Sequence, residues 1–390
     1  MAAGTPRDTD ILVIGGGIAG CATAYYLARE GADVLVLERD EINAHASGSN
    51  SGSLHAQIPY EPFDEIGEAW AAVFAPSLRL LKASMELWRA LPAELGVDLE
   101  VSFDGGLIAA ENEAQMRVVE RKAALERAHG LDVEMLSAAD LRRMAPYLAD
   151  DLAGGAVCAT EGKANPLLAT PALARAALAR GARIQTGIAV TSLAREGTGF
   201  RAETARGAVR ARRVVNAAGA EASGVSRLLG LDVPIEGFAI QTSVTETAAP
   251  MGGHLVYFAG GRLTLKQAKN GSLLIGGGWP ATRDGAGCLR VNWASLIANL
   301  ALARRLVPEV ARLKLVRTWP ATVNGTADWK PVLGEVPGIP GFYMTVFPWL
   351  GFSAGPIVAR VTADLLLGRD PGFDLAPFSA ARYLGDAKRG

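Results

Sequence analysis

Six residues near the N-terminus, Gly15-Gly16-Gly17-Ile18-Ala19-Gly20, have the G-x-G-x-x-G spacing with which a backbone holds a diphosphate. The apolar run 11–14 before them reads as a buried strand, and 21–30 after them as a helix ended by Gly31. In that setting Gly15 permits the tight turn, Gly17 lets a pyrophosphate approach the chain, and Gly20 lets the helix pack on the sheet. The anion then faces a helix N-terminus, where the free N–H groups around Ile18, Ala19 and Gly20 and the helix dipole favour it. A second buried strand, 34–37, ends at Glu38, about twenty residues after the glycines, where an acid hydrogen-bonds a ribose.

This fingerprint serves NAD and FAD alike, and two other segments separate them. VVNAAG at 214–219 runs a strand into a small-residue turn at Ala218 and Gly219, as a bulky dinucleotide passing close to the backbone requires. Gly351-Phe352-Ser353-Ala354-Gly355-Pro356 precedes a helix expected over 356–367, with proline in its first turn. A helix N-terminus aimed at a flavin's pyrimidine edge stabilises the negative charge of the reduced ring. A nicotinamide gains positive charge on oxidation and has no such need. Each segment alone also reads as an ordinary strand end or helix junction; together they favour FAD.

The elements that carry these motifs interleave. A loop poor in large side chains, HASGSNSGSLH at 45–55, leads into helical patterns over 63–91 and 111–129. An Ala-rich helix is expected over 167–180, strands over 183–190 and 199–204, an antiparallel sheet over 236–278 and a helix over 291–306. The expected fold is α/β: a Rossmann-like, doubly wound FAD-binding domain with an interleaved α+β substrate domain on an antiparallel sheet. The first comprises 8–90, 150–234 and 323–390; the second comprises 91–149 and 235–322.

Composition limits the function classes. The chain has 390 residues, is 49 % hydrophobic and 20 % charged, and carries a net charge of −1, which gives nucleic acid no electrostatic reason to bind. The run 11–28 is apolar enough to mimic a membrane span, but its glycines make strand, turn and helix the better reading. Three distant cysteines, Cys21, Cys158 and Cys288, lack metal spacing and fit a reduced, cytoplasmic compartment; no metal is expected.

ILVIGGGIAG…VLVLER, ASGSNSGSLH, EGKANP at 161–166, VVNAAG and TADWKPVLGEVPGIPGFYMTVFPWLGFSAGP together resemble the D-amino-acid-oxidase-like family of FAD enzymes, which includes glycine and sarcosine oxidases. The resemblance spans nearly the whole chain. GSNSGSLH and SLLIGGGW at 272–279 are most similar to the β subunits of heteromeric opine oxidases, D-hydroxyproline dehydrogenases and hydrogen-cyanide synthases, which implies a partner subunit. It further implies that Ser47, Gly48, Asn50 and Gly52 hold the ribityl and diphosphate portion, that the Val190 backbone meets the adenine, and that Arg39 lies over it or on the surface. Two features depart from the family. WPATVNGT at 319–326 has no cysteine for covalent attachment, so non-covalent FAD is expected. It also has Val323 and Asn324 where glycine-oxidase-like members carry an arginine for the substrate carboxylate. Lys266 and Arg262 are the candidate replacements, with a solvated strand lysine the plainer reading of Lys266. His55 reads as a site-lining or a structural residue; Tyr257, His254 and Gln57 are further polar candidates, and Trp349 reads first as packing.

The function expected is oxidation of the C–N bond of a small amine or amino acid (a D-amino acid, N-alkyl amino acid or opine) by hydride transfer to flavin N5, giving an imine that hydrolyses. The alternatives are a same-fold FAD enzyme acting on a hydroxy acid or biosynthetic intermediate, or an electron-relaying subunit of a heteromeric dehydrogenase.

Overall fold

A computed structural model describes residues 8–384. Its first sheet places Thr9–Ile14 at the centre, with Gly207–Asn216 on one side and Val34–Leu37 on the other, all parallel. Arg183–Gln185 extends it in parallel beyond Val34–Leu37, and Phe342–Val346 does so beyond Gly207–Asn216. Val332–Glu335 closes that edge antiparallel. The central runs 11–14 and Val34–Leu37 are uninterruptedly apolar and buried, as strands covered on both faces require. The Ile18–Arg29 helix is buried from residue 20 through 28, so it is apolar all round rather than striped. Gly355 lets the Gly351–Leu366 helix lie against it, since a Cβ there would come within 2.8 Å of the Ile18 side chain.

The second sheet runs Leu315–Gly325, Glu236–Thr247, Ser272–Gly276, Thr264–Gln267, Leu255–Phe258, Gly106–Ala110, Gly154–Cys158, Val133–Ser137. It is antiparallel except where Leu255–Phe258 pairs parallel with Gly106–Ala110, so the purely antiparallel sheet expected over 236–278 becomes one of mixed orientation once the 106–110 strand joins it. Two of its strands take residues from segments expected in the FAD-binding domain: Gly154–Cys158 belongs to 150–234, and Leu315–Gly325 pairs along Glu236–Thr247 past the expected boundary at 322.

Several boundaries differ from expectation. The 63–91 pattern is three helices, Tyr60–Ile66, Glu68–Phe74 and Pro76–Leu95, because Gly67 at φ +98° and Pro76 interrupt it. The last helix starts at Gly351, five residues before Pro356, so the proline sits inside it and not in its first turn. Among the described residues no helix is long and apolar enough to cross a membrane.

Candidate functional site

The glycine turn is held by its neighbours. Gly15 adopts φ +115°, and a side chain there would strike the Ala217 carbonyl, where Gly207–Asn216 ends; VVNAAG is small because this strand end meets the glycine turn. Gly20 packs so closely on Gly15 that a Cβ would collide with its carbonyl oxygen. Glu38 is buried and accepts Gly16 N–H at 2.6 Å and Asp40 N–H at 2.9 Å. Ile188 N–H bonds the Glu38 carbonyl at 2.8 Å, which ties the approach to Val190 to the same residue.

Across the turn, Ser47 Oγ accepts the Ile18 N–H at 2.9 Å, and a side chain at Gly17 would come within 3.0 Å of that hydroxyl. The gap between Gly17 and Ser47 is therefore kept for backbone-sized or phosphate-sized groups. The Ile18 N–H, expected to be free, is thus taken by Ser47; a glycine turn free of side chains, a buried acid in register and the Ala19 and Gly20 N–H groups at the helix start fit the diphosphate and ribose of FAD. The other expected contacts divide. Asn50 donates to Ala46 O and Ser47 O and accepts Gly52 N–H at 2.7 Å, shaping the loop while lining the cavity below. Gly48 and Gly52 are small because Asn43 O and Ala164 O press on them. Arg39 is exposed and pairs with Asp40 and Glu221, the surface reading of the two.

A cavity of about 230 Å³ lies between the cofactor loop, the start of the Gly351 helix and the second sheet. Ala46, Ser49, Asn50 and Ser51 enter it from the cofactor loop, and Trp349 and Leu350 from just before the Gly351 helix start. Ile240, Thr242, Tyr257, Thr264, Ala321 and Val323 enter it from the second sheet. The N–H groups of Gly351, Phe352 and Ser353 open that helix and have no carbonyl within it to bond. Phe352, Ser353, Ala354 and Gly355 are buried behind the turn. Ser353 fixes its position by accepting His55 N–H at 2.8 Å and donating to Ser53 O at 3.1 Å. Trp319 Nε1 donates to Ser49 O at 2.8 Å, so the segment that lacks the arginine also anchors the loop.

His55 lines the cavity, and its Nδ1 lies 2.6 Å from the Tyr257 hydroxyl. Tyr257 bonds the buried Glu161 carboxylate at 2.6 Å. Glu161 also takes N–H groups from Ala56 at 2.6 Å and Gln57 at 3.0 Å, and the Gln57 amide at 2.8 Å. Behind it, buried Lys122 bonds Gln57 Oε1 at 2.9 Å and Glu126 at 2.6 Å. Burial pushes the His55 pKa down to about 4, with Glu161 opposing and Lys266 adding to the shift. Burial and the Glu161 charge raise the Tyr257 pKa well above the ordinary phenol value. Sequence reasoning passed over Lys122, Glu126 and Trp329 and gave Glu161 no role. The one local signal was Lys122 and Glu126 four apart on one helix.

Lys266 is not a solvated strand residue. It is 2 % exposed, does not line the cavity, and donates to Ser51 Oγ at 2.9 Å and Ser53 Oγ at 2.6 Å. Burial, followed by the Lys163 charge, drives its pKa well below the ordinary lysine value. An amine so disposed toward the neutral form is a poor carboxylate clamp; it ties the cofactor loop to the second sheet. Arg262 is exposed, 3.7 Å from Glu65. Among the described residues the only Lys or Arg lining the cavity is Lys122, already held by Glu126 and Gln57. His254 bonds Tyr147 and does not line the cavity. Trp349 does more than pack: with φ +58° it stacks on Trp329 at 4.9 Å, and both line the cavity as an aromatic wall.

The profile of the family described as FAD dependent oxidoreductase (DAO) matches residues 10–365. The chain belongs to this family. Among relatives of this FAD-dependent oxidoreductase, the sarcosine oxidase beta chain of Rhizobium meliloti (strain 1021) is 29 % identical over 386 residues, covering 96 % of this chain and 88 % of that one. An opine oxidase subunit of Rhizobium meliloti is 26 % identical, covering 96 % and 98 %. The crystal structure of glycine oxidase from Geobacillus kaustophilus superposes with a TM-score of 0.84 at 26 % identity, covering 98 % of this chain and all of that one.

Proposed function

We propose that this oxidoreductase oxidises the C–N bond of a small amine or amino acid: a D-amino acid, an N-alkyl amino acid or an opine. Bound FAD would supply the hydride acceptor at N5, and the imine product would hydrolyse in water. One observation carries the reading: a single cavity joins the cofactor loop and the Gly351 helix start to an aromatic and polar wall on the second sheet. The Trp329–Trp349 stack would exclude water from the face where a C–H bond must be held, and the helix N-terminus would stabilise the reduced ring. Ala321 and Val323 give the cavity an apolar side where the carboxylate-binding arginine is absent. The test is anaerobic bleaching of the flavin by a panel of D-amino acids, N-alkyl amino acids and opines.

The names of two relatives, each one chain of an oxidase, support a second component to this reading: a partner chain that completes a heteromeric enzyme. Trp293 and Ile297, one turn apart on the Trp293–Leu306 helix, are 72 % and 68 % exposed, which suits a protein contact. Co-purification of a second chain with the tagged protein from its native host tests this. A cytoplasmic location belongs to the same reading and rests on three unpaired cysteines.

A further inference from the structure

Six side chains, Glu126, Lys122, Gln57, Glu161, Tyr257 and His55, form one hydrogen-bonded series ending at the cavity, and the chemistry of its members fixes where the protons lie. A lysine only donates, so the Gln57 atom 2.9 Å from Lys122 Nζ is the amide oxygen. The Gln57 nitrogen therefore faces Glu161 Oε2 at 2.8 Å. With the N–H groups of Ala56 and Gln57 on its other oxygen, Glu161 is surrounded by donors and acts only as an acceptor. The single Tyr257 proton must then go to Glu161, at 2.6 Å, which leaves the phenol oxygen to accept from His55 Nδ1 at 2.6 Å. Nδ1 therefore carries the ring proton, and Nε2, which has no hydrogen-bond partner among the described residues, is left unprotonated.

We propose that this series locks His55 in the Nδ1-protonated tautomer, so that Nε2 is the hydrogen-bond acceptor that orients the N–H of the amine substrate, with Tyr257 and Glu161 as positioning residues. The substrate half of the proposal rests on the cavity being the amine site. Burial keeps the ring neutral, so no imidazolium donor competes for the amine. An acceptor of fixed direction would turn the nitrogen, and with it the adjacent C–H, toward one face of the cavity.

The test needs no turnover. The FAD-loaded protein is labelled with ¹⁵N-imidazole histidine and its two-bond ¹H–¹⁵N correlations are recorded at neutral pH. Only four histidines are present, and the His55→Gln variant identifies the resonance that disappears. The expected result is a neutral, Nδ1-protonated His55 that changes tautomer in Tyr257→Phe. A wild-type His55 found as the Nε2-protonated form or as imidazolium overturns the proposal, as does an unchanged tautomer in folded Tyr257→Phe. If that variant fails to fold, the wild-type spectrum decides. For any amine that reduces the flavin, Tyr257→Phe should raise the concentration giving half-maximal reduction about tenfold with a smaller change in the limiting rate. A change in the limiting rate alone overturns the acceptor role. If no amine reduces the flavin, the functional reading fails while the tautomer result stands on its own.

Discussion

Glu38 accepts the N–H of Gly16 at 2.6 Å, so the acid placed to hold a ribose also stiffens the turn placed to hold the diphosphate. Glu38→Ala should remove both contributions. Loss of a charge-assisted hydrogen bond of roughly 1.5–3 kcal/mol corresponds to about tenfold to a hundredfold weaker FAD binding. Titration of the apo-protein measures this, and the melting temperature of the apo-protein should fall as well because Gly16 and Asp40 lose their acceptor. Glu38→Gln, which keeps an oxygen acceptor, should lose less on both counts.

FAD should leave the polypeptide on acid or heat denaturation. No cysteine occurs in 319–326, and Cys21 and Cys158 are buried with thiol pKa values pushed up to about 12. Flavin absorbance in the washed precipitate would contradict non-covalent binding.

Lys266→Met should act on the cofactor loop. It removes the bonds to Ser51 and Ser53, each worth about 1 kcal/mol, so FAD affinity should drop severalfold. KM should change in parallel for a carboxylate substrate and its matching amine. A rise confined to carboxylate substrates would return Lys266 to the role of clamp.

His55 should make stability fall with acidity. Its folded pKa, about 4, lies below the ordinary 6.5, so the ring is neutral in both states above pH 6.5. As pH falls from 6.5 toward 4 the unfolded chain takes up a proton that the folded protein resists. Stability is lost across that window, by about 3 kcal/mol at pH 4. Denaturation of wild type and His55→Gln at pH 7 and pH 4.5 isolates this contribution: the wild type should lose more than the variant.

What the sequence disclosed was local. The strand, glycine turn, helix and Glu38 lie within one short segment whose geometry their own residue types impose, and they occur in the expected register. The Gly351 helix start was misplaced because Pro356 was read as a first-turn signal, whereas the helix accommodates it one turn later. The polar series behind His55 was illegible for another reason. Lys122 meets Gln57 across 65 positions, and Glu161 meets Ala56 across 105, so only the assembled sheets bring them together. Lys266 misled in the same way, since no pattern around it revealed that its strand is buried on that face.

The most direct test of the account is anaerobic spectroscopy of the purified flavoprotein with the amine and amino-acid panel. The account predicts loss of the oxidised-flavin absorbance band with at least one D-amino acid, N-alkyl amino acid or opine, and formation of the corresponding carbonyl product once water adds to the imine. A flavin that stays oxidised with every amine, with or without a partner chain, yet bleaches with a hydroxy acid, would contradict it.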